Sequence, residues 1–278
     1  MATVLDGKTL AERVRAEVAA SVSDVGEVGL ATILVGEDPA SQIYIRRKHE
    51  AAEEVGIRSV DVRLAEETTQ DELLDQVAAL NRDPSINGVL VQLPLPGHVD
   101  EAAVIRAIDP DKDVDGLHPL NAGQLFLGRP RLVGATPVGI MELLLAYRIE
   151  LKGAKAVVVG RSDIVGKPVA LLLLQQHATV TICHSRTRDL ESETLEADVL
   201  VVAAGHAALV TADMVKGGST VVDVGMNRTD AGLVGDVDAA AMDVAGYMTP
   251  VPGGVGPMTI ACLLRHTVTA TRLQRVVV

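Results

Sequence analysis

The sequence predicts an α/β fold of two domains, each built on its own parallel sheet. Three observations carry that prediction. The chain has 278 residues, enough for two domains of ordinary size. Its apolar content, 48% of residues, is aliphatic, with no Trp, one Phe and three Tyr. That mix suits valine-rich buried strands and leucine- and alanine-rich helices. Short apolar runs also alternate with amphipathic stretches along the whole chain, as successive βαβ units require.

Residues 10–22 read as an amphipathic helix and residues 29–36 as a strand ending in glycine. A helix follows over 41–55, with Gly56 as its stop. Residues 59–64 alternate like a strand. Thr69 caps a helix to residue 81, with acids in its first turn. Residues 87–94 form a buried strand stopped by prolines, and 101–108 a short helix. Residues 141–147 read as a helix joining the halves. The second half predicts strands at 156–159, 179–183, 199–203, 220–224 and 246–248, with helices in most intervals. A final helix over 259–272 packs back on the first domain. The expected domains are therefore 1–137 plus 256–278, and 138–255.

Composition excludes several function classes. A net charge of −12 disfavours nucleic acid and anionic membranes. So few aromatics leave little for base stacking. No apolar stretch approaches the roughly 18 residues of a membrane span, and residues 1–8 do not read as a secretion leader. Cys183 and Cys262 stand in no metal-ligand spacing and suit a reducing, cytoplasmic compartment. No metal is expected. Asp111-Lys112-Asp113-Val114-Asp115-Gly116 begins like a calcium loop, but its twelfth position is Ala122 rather than Glu.

One turn points to a nucleotide. Val157-Val158-Val159-Gly160-Arg161-Ser162-x3-Gly166 joins a buried strand to a helix, the geometry in which glycine and a helix N-terminus receive a phosphate. The middle glycine of the usual G-x-G-x-x-G is Ser162 here. An NAD site places a carboxylate at the end of the next strand, for the ribose 2′-hydroxyl. Here that strand ends Cys183-His184-Ser185-Arg186-Thr187, with no acid before Asp189. A hydroxyl and a guanidinium suit a 2′-phosphate, and Arg161 adds a second partner. The turn, with Gly160, Arg161, Ser162, Gly166, Ser185 and Arg186, therefore predicts NADP on a Rossmann-like second domain.

In the first domain, Tyr44 and Lys48 share a helix face beside Ala40, Ala51 and Ala52. A lysine among small apolar residues is partly desolvated, which lowers its pKa toward proton transfer. Gln92 interrupts a buried strand near its carboxyl end, where α/β sheets bind ligands and where a buried amide needs a partner.

Five motifs occur in order: Tyr44-x3-Lys48, Gln92-Leu93-Pro94-Leu95-Pro96, Lys112-Asp113-Val114-Asp115-Gly116, the Gly160–Gly166 turn, and Thr249-Pro250-Val251-Pro252-Gly253-Gly254-Val255-Gly256-Pro257-Met258-Thr259. Together they resemble the bifunctional methylenetetrahydrofolate dehydrogenase/methenyltetrahydrofolate cyclohydrolase family over nearly the whole chain. The resemblance implies NADP-dependent oxidation of methylenetetrahydrofolate, then hydrolysis to 10-formyltetrahydrofolate, in a cleft between the domains. It implies Lys48 as the proton-transfer group, Tyr44 beside the folate, Gln92 assisting Lys48, and Asp115 on the pterin. Pro252, Gly253 and Gly254 would line the folate side, and Met226 would stand near the nicotinamide. It also implies a homodimer. Glu50, Ala135 and Met226 depart from the family's usual residues. A dehydrogenase lacking the hydrolase step and a non-catalytic nucleotide-binding regulator are the competing readings.

Overall fold

In the computed structural model of the protein, residues 1–230 and 232–276 are described. The elements run β1 (Thr3–Val4), α1 (Gly7–Val25), β2 (Gly29–Val35), α2 (Pro39–Glu54), β3 (Arg58–Leu64), α3 (Gln70–Arg82), β4 (Gly88–Val91), α4 (Glu101–Ala107), α5 (Pro119–Phe126) and α6 (Ala135–Ala146). They continue β5 (Lys155–Val159), α7 (Gly166–Gln175), β6 (Thr179–Cys183), α8 (Leu190–Leu195), β7 (Val199–Val202), β8 (Thr220–Asp223), β9 (Asn227–Thr229), β10 (Gly232–Val234), β11 (Tyr247–Met248) and α9 (Val255–Val276). The chain divides into two compact units. One comprises Met1–Ala11 with Thr136–Thr259, the other Glu12–Ala135 with Ile260–Val278.

The unit built on Glu12–Ala135 carries a three-stranded parallel sheet in the order β3-β2-β4. The central strand Gly-Leu-Ala-Thr-Ile-Leu-Val is buried along its whole length, as a strand covered on both faces must be. Its Ala31, Ile33 and Val35 pack with Leu73, Val77 and Leu80 of α3 and with Val89 and Val91 of β4. Thr69 opens α3 through a reciprocal capping box with Glu72, which satisfies amides the helix leaves unpaired. The far end of α3 is held by Lys112, whose Nζ donates to the carbonyls of Leu80, Asn81 and Asp83 at 3.1, 2.8 and 2.9 Å. Lys112 is buried, so a cation here meets the helix C-terminal dipole away from water. Lys112→Met removes all three bonds, although Leu80 O and Asp83 O still accept from the amides of Asp83 and Ile86 at 3.3 and 3.2 Å. We expect it to lower unfolding stability by about 3 kcal/mol, read as a drop in the denaturant midpoint with an unchanged slope.

The other unit carries a six-stranded sheet, β1-β11-β8-β7-β5-β6, parallel throughout. From β5 onward the order is that of a doubly wound fold, with the reversal between β5 and β7. Val157, Val159, Leu200, Val202 and Val221 fill its core. The expected first domain included residues 1–11, and here the structure differs. Thr3 and Val4 pair in parallel with Tyr247 and Met248 of β11, so the N-terminus closes the edge of this second sheet. Two residues give no strand periodicity to read; the pairing comes from the ladder alone. The opposite edge, β6, is exposed along most of its length.

Candidate active site and nucleotide turn

Both sheets bring chemistry to their carboxyl ends at a reversal of strand order. In the three-stranded sheet the reversal lies between β2 and β4. Gln92 follows β4 directly, its amide N–H donating to Ile33 O of β2 at 2.9 Å. Lys48 lies on α2, the helix that leaves β2. Asp38 caps that helix by accepting from Ser41 N at 2.7 Å, with Pro39 in its first turn, an arrangement that fixes its start. His49 ties the same helix to the sheet: Nε2 meets Thr32 Oγ1 of β2 at 2.6 Å, and Nδ1 bonds Ser59 Oγ of β3.

So anchored, α2 delivers Lys48 to Gln92. Lys48 is 6% exposed, and its Nζ donates to Gln92 Oε1 at 3.1 Å. Lysine only donates, so the amide must present its oxygen. Gln92 Nε2 then donates to Leu93 O at 2.9 Å. Tyr44, one turn back, places its ring 5.4 Å from the ammonium, within cation–π range. Burial pushes the Lys48 pKa down, and the Asp115 carboxylate partly restores it. Burial pushes Asp115 up, and Lys48 draws it back. Each charge thus opposes the other's burial penalty, a coupling often found at functional sites. Glu50, the acid two residues beyond Lys48, points away and pairs with Arg46 at 3.8 Å on the exposed face. Tyr44, Lys48, Gln92 and Asp115 therefore form one cluster.

The segment that begins like a calcium loop is used otherwise. Lys112 caps α3, as described above. Asp113 Oδ2 accepts from His118 N at 2.8 Å and Asn121 Nδ2 at 2.9 Å, which orients the entry to α5. Only Asp115 is left to face Lys48. His266 of α9 meets Val114 O through Nδ1 at 3.2 Å and so holds the segment from behind. Among the described residues no group of His, Cys, Asp and Glu is placed to hold a metal.

In the six-stranded sheet, Gly160 ends β5 with φ 129°. A Cβ on Gly160 would collide with the carbonyl of Ala203, at the end of β7. A Cβ on Gly166 would collide with the carbonyl of Gly160. The two glycines therefore bring the β5–α7 turn onto the reversal point, a cradle that side chains would fill. Ser162 secures it: its Oγ accepts from Val165 N at 3.2 Å and Gly166 N at 3.3 Å. Its hydroxyl is thus already engaged in the turn. Arg161 is exposed beside it. At the end of β6, Thr187 Oγ1 accepts from His184 N and His184 Nδ1 from Arg186 N, a tight turn that presents exposed Ser185 and Arg186. Met226, 48% exposed, follows β8. Pro252, Gly253 and Gly254 belong to the same unit, ahead of α9. Sequence reasoning missed Asp223 and Asp236, both buried here. Their one signal was glycine beside each acid, in Asp223-Val224-Gly225 and Gly235-Asp236.

Fold and site together define an α/β enzyme with a nucleotide-type turn on one sheet and a buried lysine at the carboxyl end of another. Family models for the tetrahydrofolate dehydrogenase/cyclohydrolase catalytic domain and NAD(P)-binding domain match residues 5–115 and 134–275. The chain belongs to the tetrahydrofolate dehydrogenase/cyclohydrolase family. The bifunctional protein FolD of Halothermothrix orenii is 57% identical over 283 residues, which span 99% of this chain and 100% of that one. The crystal structure of the bifunctional dehydrogenase/cyclohydrolase FolD from Campylobacter jejuni is 47% identical with a TM-score of 0.96, covering 99% and 100% of the two chains. The Trypanosoma brucei enzyme, solved with NADP cofactor and inhibitor, is 39% identical with a TM-score of 0.95, covering 99% and 98%.

Proposed function

We propose that this chain oxidises 5,10-methylenetetrahydrofolate with NADP+ and hydrolyses the 5,10-methenyl product to 10-formyltetrahydrofolate. The observation that carries the reading is Lys48, buried yet hydrogen-bonded to Gln92 and coupled to Asp115. A non-catalytic nucleotide binder has no use for a desolvated lysine, which costs stability. The glycine cradle at Gly160 and Gly166 fits a dinucleotide phosphate. When bound, the nicotinamide accepts the hydride lost by the methylene carbon. The cation left behind is resonance-stabilised, so this step asks the protein for alignment rather than for a base.

Hydrolysis asks for more. Water adds to the methenyl carbon, a C–O bond forms and one proton leaves; the bond to N5 then breaks as the remaining hydroxyl proton passes to N5, yielding the 10-formyl product. Lys48 in its neutral form takes the proton, with Gln92 Oε1 fixing the amine. Asp115 receives the pterin N–H edge and Tyr44 packs on the folate. Glu12–Ala135 then forms the folate-binding catalytic domain and Thr136–Thr259 the NADP-binding one.

Ser185, Arg186 and Arg161 meet the ribose 2′-phosphate, which an acid at that strand end would repel. The exposed β6 edge, with Ile182 at 42% exposure, supports a homodimer paired through the nucleotide domain. Two buried cysteines with no disulfide fit a cytoplasmic enzyme. The test is spectroscopic turnover of methylenetetrahydrofolate with NADP+ and NAD+ side by side. The expected result is turnover favouring NADP+ with 10-formyl product. Joint replacement Arg161→Ala with Ser185→Ala should weaken NADP+ by roughly tenfold or more and leave NAD+ nearly unchanged. Equal losses for both cofactors would remove the 2′-phosphate assignment.

A further inference from the structure

A polar cluster in the nucleotide unit lies outside every role assigned so far. Asp223 closes β8 at 2% exposure, and Asp236 follows β10 at 0%. Asp223 Oδ1 accepts from the amides of Gly225 and Asp236, both at 2.9 Å, and Oδ2 from Val237 at 3.0 Å. Asp236 Oδ2 accepts from the amides of Ala204 and Gly205 at 2.7 and 2.8 Å, and Oδ1 from Asn227 Nδ2 at 2.8 Å. Asp223 N donates to Thr249 Oγ1 at 2.8 Å. Two carboxylates thus bind the loop after β7, the segment after β8, and the far end of the β9–β10 hairpin.

The backbone is cut to admit them. A Cβ on Gly235 would strike the Asp223 carboxylate, and one on Gly225 would strike Asp236. Burying two carboxylates side by side is costly even with donors in place. Burial and the Asp236 charge push Asp223 up to about 6, against the pull of its amide bonds. A neutral turn would close the same loops at lower cost, so the cluster reads as fixing geometry.

The place of that geometry follows from strand order. The 2′-phosphate residues follow β6 and the phosphate turn follows β5. A dinucleotide lying across the strand ends next reaches the ends of β7 and β8. The loops braced by the two aspartates begin there, and one of them carries Met226.

We propose that Asp223 and Asp236 are positioning residues for the nicotinamide half of the cofactor. They hold the Ala204–Gly205 backbone and the Met226 segment where that ring must lie, and the proposal rests on the assignment of NADP to the Gly160 turn. The test compares NADP+ with 2′,5′-ADP, which carries the 2′-phosphate but no nicotinamide, by calorimetric titration of the full chain. Asp236→Asn leaves one acceptor oxygen where two accepted, so its NH2 faces either the Ala204 and Gly205 amides or the Asn227 side chain, which must turn to receive it. Asn227→Ala removes the bond to Asp236 and a long one to Val234 O at 3.5 Å, and serves as the gentler second variant. Asp236→Asn should weaken NADP+ by roughly tenfold and Asn227→Ala by roughly threefold, with 2′,5′-ADP within about twofold of wild type in both. Unchanged NADP+ affinity in Asp236→Asn would overturn the proposal, as would parallel loss of both ligands in Asn227→Ala. Wild-type protein that binds neither ligand would instead overturn the nucleotide assignment, and this proposal with it.

Discussion

Lys48→Met abolishes conversion of methenyltetrahydrofolate to the 10-formyl product, with a loss of roughly 10³-fold or more, while NADP+ still binds. The methionine fills the lysine's volume without its donors. It leaves Gln92 Oε1 without the Lys48 Nζ partner and buried Asp115 without its opposing charge, so the melting temperature should fall. Retained NADP+ binding then shows that the variant is folded while hydrolysis disappears. Lysine at 6% exposure, bonded to a side-chain amide, has no role on a solvated surface to fall back on. Hydrolysis in the variant within about tenfold of wild type would remove Lys48 from the proton-transfer role.

The pH profile sharpens the same point. Burial lowers the Lys48 pKa and Asp115 raises it in part. Hydrolysis needs the neutral amine, so its rate climbs with pH through the lysine's depressed pKa and levels off above it. Asp115→Asn removes the opposing charge, lowers that pKa further and moves the rising limb to lower pH. A limb left in place by Asp115→Asn would separate the two residues.

The same physics decides what could be read from the sequence. β6 is legible to the residue, Thr179–Cys183, because Thr-Val-Thr-Ile-Cys alternates polar and apolar residues and so carries the strand's own period. The Thr69 cap of α3 is legible because its partner Glu72 lies three residues away. β1 is not, since a strand of two residues exists only through its ladder with β11. α5 is missed because its start depends on Pro119 and on His118 accepting from Leu120 N, and its first turn carries no acid. The candidate site divides in the same way. Tyr44 and Lys48 are neighbours by helical spacing alone. Gln92 stands out as polar in an apolar strand. Asp115 is one acid among several, and only the fold shows that Asp113 and Lys112 are occupied elsewhere. Asp223 and Asp236 read as ordinary loop acids until the amides around them are seen.

Gly160→Ala should give the opposite phenotype to Lys48→Met. Gly160 sits at φ 129°, a backbone conformation that costs an L-residue about 1–3 kcal/mol. The added methyl also meets the Ala203 carbonyl, which belongs to the strand end across the reversal of the sheet. The Ala203 carbonyl is backbone rather than a flexible side chain, so the turn itself must move. Gly166, whose own space is bounded by the Gly160 carbonyl, moves with it and carries the start of α7. The phosphate site is lost rather than weakened at one contact. NADP+ affinity should fall by roughly 10²-fold, and oxidation of methylenetetrahydrofolate with it. Methenyltetrahydrofolate supplied directly should still be hydrolysed, because Lys48, Gln92 and Asp115 are built on the other sheet. The two variants then separate the two reactions: one keeps the cofactor and loses the proton transfer, the other does the reverse. An alanine at 160 with wild-type NADP+ affinity would mean that the nucleotide does not lie on this turn.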